Sequence, residues 1–222
     1  MMISCRDVRK RYEIGDTVVE AVRGVTLDVA PGEFIAVLGH SGSGKSTLLS
    51  MIGGLTRPSA GRVTVDGNDI WARADNERAA FRNRAVGFVF QFASLIPTLT
   101  ALDNVMLPRL FSNGGVSGSA KARARELLER VGLADKIESY PGELSGGQQR
   151  RVAICRAFIN DPKIVIADEP TGDLDEVTEA EILNMFASFR RERGTTFLMV
   201  THNRDLTRIA DRTVEMKAGE LR

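Results

Sequence analysis

The sequence predicts an α/β fold, and three features carry that prediction. Short, wholly apolar runs such as Phe34–Leu38 and Ile164–Ala167 stop abruptly at polar residues, as strands buried on both faces do. Longer segments with apolar residues at helical spacing lie between such runs. A glycine-rich stretch, Gly39 to Thr47, joins the first run to a helix-compatible segment, Ser46 to Ile52.

That stretch reads GHSGSGKST and satisfies G-x-x-x-x-G-K-[ST]. Its glycines let main-chain N–H groups converge on phosphate oxygens with no Cβ in the way. The helix that follows adds partial positive charge at its N-terminus. Gly39, His40, Ser41, Gly42, Ser43, Gly44, Lys45, Ser46 and Thr47 are therefore the candidate phosphate cradle. Lys45 is expected to reach the β- and γ-phosphates and Ser46 to ligate Mg²⁺. The motif alone indicates an NTPase and suits a GTPase or a small kinase equally.

Further along, Ile164-Val165-Ile166-Ala167 runs into Asp168-Glu169. A buried strand delivers Asp168 at its C-terminal end, where ligands bind in open parallel sheets. Asp168 is expected to hold Mg²⁺ directly or through water. Glu169, one residue on, is placed to polarise an attacking water. Paired acids tell against a Ras-like GTPase, in which a Gln positions the water. Gln91 and His202 each follow an apolar run, Ala85–Phe90 and Thr196–Thr201. Taken singly, either is better explained as a satisfied structural residue, by roughly three to one. Leu144 to Gln149 reads LSGGQQ, with Ser145 as a helix N-cap and Gln148 to Phe158 as the helix it opens.

Phosphate loop, Gln91, LSGGQ, the Asp168-Glu169 strand and His202 stand in the order shared by the ABC ATPases, and the whole chain resembles an ABC transporter nucleotide-binding subunit. The resemblance implies a P-loop NTPase with a RecA-like core, an N-terminal antiparallel β subdomain and an inserted α-helical subdomain. It implies one domain, with 1–91 and 160–222 as core plus β subdomain and 92–159 as the insertion. By similarity, ATP and Mg²⁺ bind at Lys45, Ser46, Gln91 and Asp168, while Glu169 and His202 act on the attacking water and the γ-phosphate. Ser145, Gly146, Gly147 and Gln148 would face the nucleotide of a second copy, or of a paralogous ATPase, in a head-to-tail dimer. Tyr12 matches the residue that stacks on adenine; the alternative is a tyrosine anchoring the first strand. Thr171 to Asp175, TGDLD, matches a loop that contacts the partner's site, with Asp173 where many relatives have Asn. A carboxylate there cannot donate as the amide can.

Val86 to Pro108 and the ADEPTGDLD run resemble the lipoprotein-releasing and macrolide-exporter branch. In that branch the ATPase pairs with an integral membrane permease, and a cell-division ATPase that regulates cell-wall hydrolases belongs there too. Export or lipoprotein release and trans-membrane regulation therefore both stay open. A soluble repair or translation ATPase fits less well, because those proteins carry two ATPase domains, a zinc insertion or a coiled coil. The insertion receives the partner's coupling helix in the family. Phe92, Leu95, Ile96 and Leu99 are candidates for that contact or for the insertion's own core.

Composition sets limits. The chain has 222 residues and a net charge of +1, which gives no reason to propose nucleic acid as a partner. No apolar run approaches the ~18–20 residues of a membrane span, and residues 1–6 lack a signal-peptide core. The chain is expected to be peripheral, on the cytoplasmic face of the inner membrane. Its two cysteines, Cys5 and Cys155, form no metal or redox pattern. Cys155 is read as a small buried residue. Val22–Val29 and Arg62–Asp66 are predicted strands of a β-rich subdomain, Ala120–Val131 and Val177–Arg191 amphipathic helices, and Ser112–Gly115 a loop. Pro97 and Pro108 are expected to punctuate the chain after Gln91. With the strand-like Thr213–Met216 and a turn so close to Arg222, no C-terminal regulatory domain is expected.

Overall fold

The computed structural model describes residues 1–112, 117–172 and 174–222. The chain opens with β1 (Ile3–Ile14) and β2 (Thr17–Val29), an antiparallel hairpin turning at Gly15, whose φ of 58° suits a residue without a Cβ. Next come β3 (Phe34–Leu38), α1 (Lys45–Ile52), β4 (Ala60–Val65) and β5 (Asn68–Asp69). α2 (Asp75–Ala85) leads into β6 (Val86–Val89). Among the described residues three α-helices come before the next strand: α3 (Ala101–Leu110), α4 (Gly118–Arg130) and α5 (Gly146–Phe158). The chain ends with β7 (Ile164–Asp168), α6 (Glu176–Arg193), β8 (Thr196–Thr201), β9 (Arg212–Lys217) and β10 (Glu220–Leu221).

Two sheets result. One is antiparallel, in the order β2-β1-β4-β5. The other runs β10-β9-β3-β8-β7-β6, parallel except for β10. The apolar runs of β3, β7 and β8 are explained by burial on both faces, because successive side chains point opposite ways. Ile35, Val37, Ile164, Ile166, Leu198 and Val200 join the core shared with α1 and the antiparallel sheet. Phe34, Ala36, Val165, Ala167, Phe197 and Met199 join the core shared with α3–α6. Stacked rings fasten that second core: Phe158 of α5 lies 3.9 Å from Phe189 of α6, and Phe34 lies 4.9 Å from Phe197, measured between centroids.

The strand order has a direct consequence for chemistry. Leu38 pairs with Thr201, Asp168 with Val200, and Val89 with Ala167. The C-terminal ends of β3, β8, β7 and β6 therefore share one edge, and the loops that leave it meet there.

The structure differs from expectation in several places. β1 and β2 extend well beyond Val22–Val29, because residues 11–19 are exposed on both faces and carry no alternating apolar signal. α2 has only Phe81 and Ala85 buried, so no apolar stripe announces it, and Ala85 belongs to this helix rather than to β6. Phe90 lies past the strand end. Pro108 does not interrupt the chain but sits inside the last turn of α3, where the helix is already tightening into three-residue turns, Phe111 N–H to Pro108 O and Ser112 N–H to Arg109 O. Of the loop expected at Ser112–Gly115, residues 113–115 lie outside the described residues, as does Asp173. Both cysteines are free and buried, and burial pushes each thiol up to about 12.

Candidate active site

At the shared strand edge lies a cavity of about 560 Å³, lined by Ala21, His40–Thr47, Gln91, Asp168, Glu169 and His202. Ala21 apart, these residues are brought together at the C-terminal ends of four different strands of the parallel sheet.

The glycine loop leaves β3 and turns directly into α1. Gly42 and Gly44 adopt φ of 77° and 102°. At Gly44 an added Cβ would lie 2.2 Å from the Ala21 carbonyl oxygen, so both conformation and space demand glycine. Gly39 is equally confined, with the Met216 carbonyl 2.4 Å from a built Cβ; it holds the loop but lies outside the cavity lining. No side chain caps the N-terminus of α1, and no acid stands in its first turn. Its N–H groups are thus left for an anion. Lys45 is buried, and its Nζ donates to the carbonyls of Gly39 at 2.7 Å and His40 at 3.1 Å. The cation is stored against its own loop. Ser43 Oγ is buried with no hydrogen-bond partner among the described residues.

Asp168 ends β7 and lines the cavity with Ser46. Burial raises its carboxyl above the ordinary carboxylate range. The charge of Glu169 adds to the rise, while the Ser46 hydroxyl and Lys45 oppose it. A raised carboxylate destabilises the fold. The penalty is absent below the unfolded-state pKa, where both states are protonated, and is fully present once pH has risen through the folded value. Asp168→Asn is therefore expected to raise the melting temperature of the nucleotide-free chain at pH 7 by a few degrees, and not at pH 3. Calorimetry at the two pH values checks this; a fall at pH 7 contradicts it.

Glu169 has φ +45°, a costly conformation for a residue with a side chain, and one found at sites that fix geometry. Its N–H donates to the Val200 carbonyl at 3.0 Å, tying it to β8. Its carboxylate is only 13% exposed and lies 3.0 Å from His202 Nδ1. An ionised carboxylate only accepts, so Nδ1 carries the proton in this pair. The His202 ring is otherwise largely open. Gln91 stands two residues past β6, exposed and facing the cavity.

Other candidate residues lie elsewhere. Tyr12 is exposed on β1, with Lys10 Nζ 4.9 Å from its ring centroid, and lines no part of the cavity. Ser145 caps α5 reciprocally: its Oγ accepts from Gln148 N–H at 3.2 Å, and Gln148 Oε1 accepts from Ser145 N–H at 2.9 Å. Ser145, Gly146, Gly147 and Gln148 are absent from the lining of this cavity. Gly146 has no neighbour within 4 Å of a built Cβ, whereas Gly147 has Thr178 Cγ2 at 2.8 Å. From the TGDLD stretch, Thr171 is buried and Asp175 caps α6.

Two features escaped the sequence reading. Ala21 supplies a cavity wall from the other sheet. A larger apolar groove of about 770 Å³ runs beside α2, lined by Leu55, Phe88, Phe90, Leu107, Pro108 and Phe111. Its residues are scattered over five segments, so no local pattern marks it. Phe92 and Ile96 are exposed, Leu95 packs on the core, and none of these lines the groove. Among the described residues no cluster of three or more His, Cys, Asp or Glu could hold a metal, and no helix is long and apolar enough to cross a membrane.

Comparison with known proteins agrees with this geometry. Residues 22–172, more than half of the chain, match the family described as ABC transporter. The lipoprotein-releasing system ATP-binding protein LolD of Geobacter metallireducens is 47% identical over 220 residues, 99% of this chain and 97% of that one. The macrolide export ATP-binding/permease protein MacB of Syntrophobacter fumaroxidans is 45% identical over 98% of this chain, which spans only 31% of its length. A solved dimeric structure of the ATP-binding cassette MJ0796, in a post-hydrolysis state bound to ADP and Pi, has a TM-score of 0.93 at 40% identity, covering 99% of this chain and 96% of that one. The chain belongs to the ABC transporter family.

Proposed function

We propose that two copies of this chain close head to tail around two ATP molecules and drive an integral membrane permease from the cytoplasmic face of the inner membrane. The observation that carries this is the incompleteness of the cavity. It gathers a phosphate loop, an acid pair and a histidine, while the capped, open N-terminus of α5 lies outside it with Gly146 free to be approached. The dimeric MJ0796 cassette, bound to ADP and Pi, supports the same assembly.

In this mechanism the phosphates displace the Gly39 and His40 carbonyls from Lys45, which then neutralises the β- and γ-phosphates. Ser46, Asp168 and Gln91 offer the hard oxygen donors that Mg²⁺ prefers. A single carboxylate with phosphates and waters is a usual Mg²⁺ set, which fits the absence of a larger acidic cluster among the described residues. When bound, Mg²⁺ would neutralise charge on the phosphate oxygens. Glu169 takes a proton from the attacking water as its oxygen bonds to the γ-phosphorus and the bridging oxygen leaves with ADP. His202 fixes the Glu169 carboxylate through Nδ1. Tyr12 stacks on adenine from the hairpin. Ser145, Gly146, Gly147 and Gln148 meet the γ-phosphate of the other copy with the helix N-terminus. Residues 92–159 act as the helical insertion against a core of 1–91 and 160–222. Lys45→Ala is expected to lose ATP binding, and an unchanged binding isotherm would contradict the role of the loop.

The apolar groove beside α2 is the surface offered to the membrane partner, because exposed Phe111 and Phe90 cluster there. The names of the LolD and MacB relatives favour lipoprotein release or export as the work done. A regulatory role across the membrane, without cargo, is the second reading from the same branch. Glu169→Gln chain held with ATP and Mg²⁺ is the bait for recovery from solubilised membranes. A partner with about four spans of ~20 residues and a large extracytoplasmic domain is the expected prey. Recovery of a many-span permease would move the chain to another branch, and recovery of nothing but soluble proteins would end the membrane reading.

A further inference from the structure

The segment carrying Gln91 is gripped by two arginines of one helix. Arg150 of α5 donates from Nη1 to the Phe90 carbonyl and from Nη2 to the Gln91 carbonyl. Arg156 donates from Nη2 to the Ala93 carbonyl at 2.7 Å and from Nη1 to the Ser94 carbonyl at 2.9 Å. The spacing fits. Six residues of helix rise roughly 9 Å, close to the reach of the three residues from Gln91 to Ser94 at roughly 3.5 Å each at most. The segment thus runs alongside α5 in the same direction, and each guanidinium meets a pair of carbonyls at its own level.

These are costly cations to place. Arg150 is only 5% exposed, and burial pulls the Arg156 guanidinium below the ordinary arginine value. Arginine suits the task because its planar fork holds two acceptors in fixed geometry, which a lysine ammonium does not. What the bonds fix is the main chain of Gln91 relative to α5. Ser145, which caps α5, stands only five residues before Arg150. At the other end, Arg156 and Ser94 line the apolar groove.

We propose that Arg150 is a positioning residue for Gln91, and that Arg150 and Arg156 make α5 and residues 90–94 move as one body. The inference rests on the role given to Gln91 above. It follows that displacement at either end of α5 is delivered to Gln91 through its carbonyl.

The test is a double-mutant cycle on the full chain, with turnover and KM for ATP measured in wild type, Gln91→Ala, Arg150→Lys and the double variant. Arg150→Lys is expected to lower kcat about tenfold and to leave KM within about twofold, with the double variant no slower than Gln91→Ala alone, as for residues coupled in one network. Effects on kcat that multiply would remove the clamp and leave the role of Gln91 intact. Parallel loss of ATP affinity and kcat in Arg150→Lys would reduce Arg150 to a structural residue. Wild-type turnover in Gln91→Ala would overturn both the clamp and the Gln91 assignment. Should Arg150→Lys not fold, Arg156→Lys at the more open end enters the same cycle, with about a threefold fall in kcat expected.

Discussion

Glu169→Gln is expected to bind ATP like the wild type, to hydrolyse it slower by roughly two to four orders of magnitude, and to accumulate as a dimer. The amide keeps nearly the same shape, and its oxygen still accepts from His202 Nδ1 across the 3.0 Å contact, so the strained turn at φ +45° has no new reason to relax. What it loses is the ability to take a proton from water. Without that step, ATP stays whole and its γ-phosphate keeps bridging the two copies. Loss of a negative charge beside the γ-phosphate favours closure further. Phosphate release at saturating ATP and a nucleotide-binding isotherm check the two halves separately. Near-normal turnover would show that Glu169 is not the base.

Gly146→Asp is expected to leave the single chain folded and able to bind ATP, and to abolish ATP-driven dimerisation and with it turnover. A Cβ at 146 meets nothing within 4 Å, and residue 146 is exposed, so a side chain can start there without a clash. An acid in the first turn of α5 also complements the helix N-terminus, worth about 0.3–1 kcal/mol to the isolated chain. In a composite site the same carboxylate would confront the other copy's γ-phosphate in a water-poor gap, where like charges repel strongly. A variant that is slightly more stable yet inactive separates the two effects. Melting temperature and turnover, measured on one preparation, test it. Wild-type turnover would mean that the end of α5 touches no nucleotide.

The parts legible in sequence are those governed by short-range rules. The glycine loop could be read because Gly44 has no room for a Cβ and Lys45 must follow it. Strands β3, β7 and β8 could be read because burial on both faces leaves a continuous apolar run. α5 could be read from the Ser145 N-cap, and the structure completes it as a capping box with Gln148. Illegible parts depend on distant segments. α2 buries only two residues, so its pattern is too sparse to mark it. The apolar groove collects Leu55, Phe88 and Phe111 from segments far apart. Arg150 and Arg156 resemble ordinary surface arginines of a helix until the chain of Phe90–Ser94 is laid against them. Pro108 misled because proline in a last turn removes only a hydrogen bond that a fraying helix end can forgo.

Whether one ATP is held by two chains is tested most directly by sedimentation velocity on Glu169→Gln with Mg²⁺, with and without ATP, alone and combined with Gly146→Asp. A composite site requires monomer without ATP, dimer with it, and monomer again when Gly146→Asp is added although ATP still binds. A Glu169→Gln chain that stays monomeric with ATP bound, or a dimer indifferent to Gly146→Asp, would contradict it.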